Sequence, residues 1–274
     1  MQTGLLIPKI VKWMRDYIEA AKLDCWVLGV SGGVDSSAIE RLCEATGKRT
    51  ICVAMPLYVH GDSASNSLRQ AMELCVGRKN VEFHVREIGP ILDIYQSCGV
   101  AMPASALTDA DLPLAKQRQL QAGNLRSRIR ANILYDFASA YRGLVAGTGN
   151  RDEDEIGYFT KGGDGLVDIC ALSQIHKSQV REIARELGVS EEIIGQNPTA
   201  GLWDGQTDEG ELGMKYSEVE WAIRFDDLPE DEQAAAYTIC SGRQAEVLAK
   251  VRRMRRVNAH KLHYPPVFPA LTIE

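Results

Sequence analysis

A parallel β-sheet flanked by helices, followed by a mostly helical C-terminal region, is the α/β architecture that the sequence predicts. Three observations predict it. Short apolar runs recur at residues 25–30, 50–55 and 81–85 without the alternation of a half-exposed strand. Stretches with helical spacing of apolar residues lie between them. A glycine-rich turn joins the first run to its helix.

Each element has its own signal. Ile7, Ile10, Val11, Met14 and Ile18 recur at helical spacing, with Lys9, Lys12, Arg15, Asp16 and Glu19 on the other face. The first strand, 25–30, is followed by a helix over 36–45. Ala38, Ile39, Leu42 and Cys43 line one side of that helix, and Gly47 stops it. A second strand at 50–55, a helix at 65–75 and a third strand at 81–85 come next. Segment 96–117 lacks periodicity, holds Pro103 and Pro113, and reads as a loop or short helical insertion. Ile129, Ile133, Phe137 and Tyr141 stand four apart in a long helix over 123–141. A fourth strand at 144–146 runs into Gly147-Thr148-Gly149-Asn150, and 166–169 reads as a short fifth. The helix over 178–187 stops at Gly188. Segment 195–211, glycine-rich and polar, reads as a loop. The remainder is mostly helical and ends in an extended tail at Tyr264-Pro265-Pro266.

Composition narrows the function classes. The chain has 274 residues, 45% hydrophobic and 25% charged, which suits a single domain over 1–274 with a packed core. A net charge of −6 argues against a general nucleic-acid binder. The seven cysteines are odd in number and show no C-x-x-C spacing, so neither a zinc site nor a disulfide framework is expected. They read as small hydrophobes in a reducing compartment. The N-terminal helix is amphipathic, unlike a signal peptide, and no apolar run approaches the roughly 20 residues of a membrane span. A cytoplasmic protein without membrane contact is expected.

The strongest local signal is Gly29-Val30-Ser31-Gly32-Gly33-Val34-Asp35-Ser36 between the first strand and its helix. Glycines let the backbone turn tightly and present N–H groups to an anion, and the helix adds its positive N-terminal end. Ser31, Ser36 and Ser37 add hydroxyl donors. Asp35 cannot itself hold phosphate, so a carboxylate here calls for a bridging cation, most simply Mg²⁺. No lysine follows the last glycine, and the spacing is not that of a dinucleotide-binding turn.

Ser-Gly-Gly-x-Asp-Ser at 31–36 resembles the pyrophosphate loop of the N-type ATP pyrophosphatases. Within that superfamily, further blocks resemble the ammonia-dependent NAD synthetases. They are Asn124-Leu125-Arg126-Ser127-Arg128, Gly147-Thr148-Gly149-Asn150, Gly157-Tyr158-Phe159-Thr160-Lys161, Gly163-Asp164-Gly165 and Val167-Asp168-Ile169. His176-Lys177, Asn197-Pro198-Thr199-Ala200, Gln206-Thr207-Asp208-Glu209 and His260-Lys261 continue the series.

The resemblance implies a Rossmann-like, adenine nucleotide alpha hydrolase-like sheet and a ligase that amidates deamido-NAD to NAD through an acyl-adenylate. Its substrates would be ATP, deamido-NAD and ammonia. It assigns ATP to Gly29, Val30, Ser31, Gly32, Gly33, Val34, Asp35, Ser36, Thr148, Lys177 and Thr199, with Asp35 and Lys177 catalytic. Thr148 also falls at the carboxyl end of an expected strand, where open α/β sheets bind ligands. Asp35 and Glu153 would hold Mg²⁺; the run Asp152–Glu155 alone reads more often as a solvated face. Arg128, Lys161, Asp168, His260 and Lys261 would hold deamido-NAD. A homodimer is implied, although the apolar stripes of the first helix and of 129–141 serve intrachain packing as readily.

Several positions depart from the family pattern. Gly162 replaces a tyrosine, Leu166 a glycine and Ala171 a proline, and Leu262-His263-Tyr264 stands where arginines are common. They lie on the dinucleotide side, so the alternative is an N-type ATP pyrophosphatase that adenylates another carboxylate. With no stretch set aside for glutamine hydrolysis, the nitrogen is expected from free ammonia or an amidotransferase partner in trans.

Overall fold

The computed structural model describes residues 3–59, 62–98, 113–199, 206–263 and 266. Five parallel strands form one sheet: β1 (Cys25–Gly29), β2 (Arg49–Ala54), β3 (Val81–Val85), β4 (Gly143–Gly147) and β5 (Ile169–Cys170), in the order β3-β2-β1-β4-β5. Cys25 lies opposite Arg49 on one side and Gly143 on the other. The order reverses direction between β1 and β4, so a crevice opens at the carboxyl ends of these two strands.

Burial on both faces explains the unbroken apolar runs. Trp26 and Leu28 of β1 join Cys52, Ala54 and Ala146 in one core layer. Helices α1 (Leu6–Ala20), α2 (Val34–Ala45) and α7 (Lys177–Glu186) close that layer with Met14, Ile18, Ile39, Leu42 and Ile183. Cys25, Val27, Ile51, Val53 and Val145 face the opposite way, against Ile129, Phe137 and Ala138 of α5 (Leu114–Tyr141) and Leu92 of α4 (Gly89–Cys98). The sheet is thus covered on both sides, as parallel sheets require.

A third apolar cluster sits beside the sheet. It joins Ile156 of α6 (Arg151–Ile156), Leu212 of α9 (Asp208–Leu212), Val219 and Ile223 of α10 (Tyr216–Asp226), and Val247 and Val251 of α12 (Gly242–Leu262). Helices α3 (Asp62–Cys75), α8 (Glu191–Ile194) and α11 (Glu230–Tyr237) complete the set. Among the described residues no helix is long and apolar enough to cross a membrane.

The structure corrects several element boundaries. Helix α5 begins at Leu114, nine positions before the expected 123, because residues 116–121 are good helix formers without a periodic apolar stripe. Helix α4 was not anticipated and runs into the segment read as a loop. Strand β5 is Ile169–Cys170 rather than 166–169, since 161–165 form turns and the strand starts only after 168. The acidic run after β4 is helix α6, and α9 lies partly within the expected 195–211 loop. The centre of that loop, most of 96–117 and the tail positions Tyr264 and Pro265 lie outside the described residues.

Candidate active site

The crevice at the β1/β4 switch gathers residues from four parts of the chain. After β1, Gly32 adopts φ +82°, and a Cβ there would meet the Ser67 carbonyl oxygen of α3 at 2.7 Å. Only glycine suits both that angle and that approach. Gly33 is the N-cap of α2, extended at φ −87° and ψ 163°, and no side chain caps the helix start. Its first-turn N–H groups therefore remain available to an anion. The Ser36 and Ser37 hydroxyls donate to the Gly33 carbonyl at 3.0 and 2.9 Å, and Ser31 Oγ lies 3.1 Å from Ser36 Oγ. These contacts hold the loop in shape.

After β4, half-buried Thr148 leads to Asn150. The Asn150 side-chain oxygen accepts from the N–H groups of Asp152 and Glu153, capping α6, while Glu153 Oε2 accepts from Asn150 N. The same side chain donates through Nδ2 to Asp35 Oδ1 at 3.1 Å. The cap that starts α6 thus also orients the acid of the glycine-rich loop.

Helix α7 delivers Lys177, buried to 3% exposure. Its Nζ donates to Asp35 Oδ2 and, at 3.2 Å, to Glu153 Oε1. Tyr216 of α10 donates to the same Glu153 oxygen at 2.9 Å and to Asp208 Oδ2 at 3.0 Å, and its ring lies 4.7 Å from the lysine nitrogen. One residue upstream, Asp152 accepts from Lys177 N at 2.8 Å and pairs with His176 Nδ1 at 2.6 Å. That buried pair docks the start of α7 onto the start of α6.

Burial and crowding set the charge states. Burial pushes the Glu153 carboxyl up to about 7; Lys177 opposes this rise and Asp35 adds to it. Burial alone would pull the Lys177 ammonium down, but Asp35 and Glu153 outweigh it and hold it above the ordinary lysine range. Asp35 and Glu153 meet at one ammonium, with Asp208 joined to them through Tyr216. Carboxylate oxygens of this kind are donors for a hard divalent cation such as Mg²⁺.

The residues expected to hold a dinucleotide fall into two groups. Arg128 Nε donates to the Lys161 carbonyl at 3.2 Å, and Lys161 Nζ to the His260 carbonyl at 2.7 Å. Lys261 Nζ donates to the carbonyls of Gly157 and Phe159, both at 2.8 Å. These four residues come together where α5, the 157–165 turn and the end of α12 meet. Asp168 stands apart: its carboxylate accepts from Val145 N at 2.8 Å and Tyr135 OH at 3.2 Å. Thr199 is exposed beside the 200–205 segment.

Sequence reasoning did not single out Asn150, Asp152, His176, Asp208 or Tyr216. Asn150, His176 and Asp208 lie within the family-like blocks, so the blocks are visible in the sequence but these residues' roles are not. Tyr216 carried no local signal, because a tyrosine on an amphipathic helix reads as core.

The sequence profile described as NAD synthase matches residues 6–265. An NH(3)-dependent NAD(+) synthetase of Carboxydothermus hydrogenoformans is 34% identical over 260 residues, 94% of this chain and 95% of that one. Its counterpart in Aeropyrum pernix is 37% identical over 267 residues, 96% and 87% of the two chains. Among solved structures, an NMN synthetase from Francisella tularensis superposes with a TM-score of 0.77 at 28% identity, covering 99% of this chain and 100% of that one.

Proposed function

The chain belongs to the NAD synthase family, and we propose on that footing that the β1/β4 crevice is where ATP activates a nicotinate carboxylate. The reaction is the ATP-dependent amidation of deamido-NAD with ammonia, a carbon–nitrogen ligation. The carboxylate of deamido-NAD attacks the α phosphorus of ATP, and the bond to the β-phosphate oxygen breaks, releasing pyrophosphate. Ammonia then attacks the acyl-adenylate carbonyl and loses a proton, and AMP departs to leave NAD. No covalent enzyme intermediate is needed.

The observation that carries the residue assignment is the meeting of Asp35, Lys177 and Glu153 beside an uncapped helix start. The amides at the start of α2 receive the phosphates. Lys177 offsets charge that builds on pyrophosphate as it leaves. Asp35 and Glu153 are the residues that would hold Mg²⁺, which when bound neutralises phosphate charge. Asn150 keeps Asp35 turned toward the loop. Arg128, Lys161, His260 and Lys261 are proposed to line the dinucleotide side, with Asp168 at its edge. The exposed pair Trp13 and Tyr17 on α1 supports a homodimer with the dinucleotide near the interface, since Tyr17 OH also donates to the Asp168 carbonyl at 3.3 Å.

Asp35→Ala should lower pyrophosphate release with ATP, deamido-NAD and ammonia by about 10³-fold or more. Near-normal turnover would sink the residue assignment. Glutamine replaces ammonia in a second arm to identify the nitrogen donor. A third arm uses nicotinic acid mononucleotide, because one fold neighbour is an NMN synthetase. A higher kcat/KM with it would move the proposal to the shorter substrate.

A further inference from the structure

Away from the crevice, three elements turn sulfur and carboxylate toward one point of the interior. Glu40 and Cys43 lie one turn apart on α2, Cys52 is in β2, and Cys75 ends α3. Glu40, Cys43 and Cys52 have no exposed surface, and Cys75 has 1%. A Glu40 carboxylate oxygen and the sulfurs of Cys52 and Cys75 all lie within 4.8 Å of one another. Glu40 Oε2 accepts from Arg41 Nη1, which also donates to the Leu74 carbonyl at 3.0 Å. Glu40 Oε1 is buried without a hydrogen-bond partner among the described residues. A buried carboxylate oxygen left unpaired is costly, and it calls for a ligand.

We propose that Glu40, Cys52 and Cys75 form a structural site for a borderline-soft divalent cation of the Zn²⁺ class, with Cys43, one turn from Glu40 on α2, a further buried thiol. Two thiolates and a carboxylate are donors that select such an ion over Mg²⁺. The charges balance. Zn²⁺ displaces one proton each from Cys52 and Cys75, and the resulting single negative charge lies beside the Arg41 guanidinium. If Cys43 joins as a thiolate, a third proton leaves. The spacing rule for cysteines misses such a site because its donors come from two helices and a strand rather than one loop. The ion would tie α2 to β2 and α3. Helix α3 is also the wall that Ser67 presents to Gly32 of the phosphate loop.

The test uses the full chain with Cys98→Ser, Cys170→Ser and Cys240→Ser, which leaves only the buried thiols. Because the interior is closed, the protein is refolded with Zn²⁺ or Cd²⁺ and freed of excess ion by gel filtration. About one ion per chain should remain. A thiolate-to-cadmium charge-transfer band, proton release on binding and a higher Tm than after refolding with chelator should accompany it. Cys52→Ser and Glu40→Gln should each weaken retention by about tenfold or more. If those variants do not fold, the parent decides alone. Retention below about a tenth of an ion per chain with no charge-transfer band overturns the proposal. So does a Cys52–Cys75 disulfide in freshly purified protein. No readout depends on NAD formation, so the outcome is independent of the proposed activity.

Discussion

Asn150 holds a helix and a carboxylate at once, and the two duties can be separated by mutation. Its oxygen caps α6 and its nitrogen reaches Asp35. Asn150→Ala removes both, so it should cost about 1 kcal/mol of stability from the lost cap as well as activity. Asn150→Asp keeps an acceptor for the cap but sets a second negative charge against Asp35. That variant should retain stability within about 0.5 kcal/mol while kcat/KM falls by about tenfold or more. Denaturant titration and pyrophosphate release measure the two effects. Equal stability loss in both variants, with no difference in activity, would show that the link to Asp35 does not matter. The same residue shows how far local sequence carries: Asn150 before Glu153 is a legible capping box, but its contact with Asp35 spans 115 positions.

At the level of elements, the satellite core is clasped by charge. Glu218 of α10 accepts two bonds from Arg243 of α12, at 2.7 and 2.9 Å, and one from Lys215 N at 2.8 Å. The Arg243 guanidinium, then the Lys215 amide, lowers the Glu218 carboxyl from its ordinary 4.5 to about 2. The folded group releases its proton more readily than the unfolded one. Its stabilisation is therefore present above about pH 4.5 and is lost as the pH falls through about 2. The pair is partly exposed and screened, so Glu218→Gln should cost only about 0.5–1 kcal/mol at pH 7. The difference from the parent should shrink by pH 3, as read by denaturant titration at both pH values. A difference that stays constant between them would contradict the assigned cause. The pairing was not legible beforehand: both residues look like ordinary surface charges until α10 and α12 lie side by side.

For the whole molecule, the exposed aromatics of α1 bear on assembly. Trp13 and Tyr17 are 48% and 44% exposed, with ring centroids 6.3 Å apart. They lie on the flank of the stripe of Met14 and Ile18, which enter the core. The stripe of the first helix packs within the chain, while this aromatic pair stays largely exposed. Sedimentation of the parent at micromolar concentration should give a dimer, and Trp13→Glu should shift it toward monomer, since a charge buried without a partner disfavours association. A monomeric parent would dispose of the dimer.

The sequence by itself determined the parallel sheet, most of the helices that cover it and the glycine-rich turn after β1. Each of these is written in residues close along the chain: apolar runs for strands buried on both faces, helical spacing, and glycines where the backbone must turn. Helix α5 shows the limit, since its first nine residues lack the apolar stripe that periodicity requires. Only the tertiary structure decided that Lys177 meets Asp35 across 142 positions, that Tyr216 and Asp208 close the same site, and that Cys52 and Cys75 face Glu40. Such meetings depend on strand order and helix docking, which bring distant residues together without leaving any pattern in the neighbouring sequence.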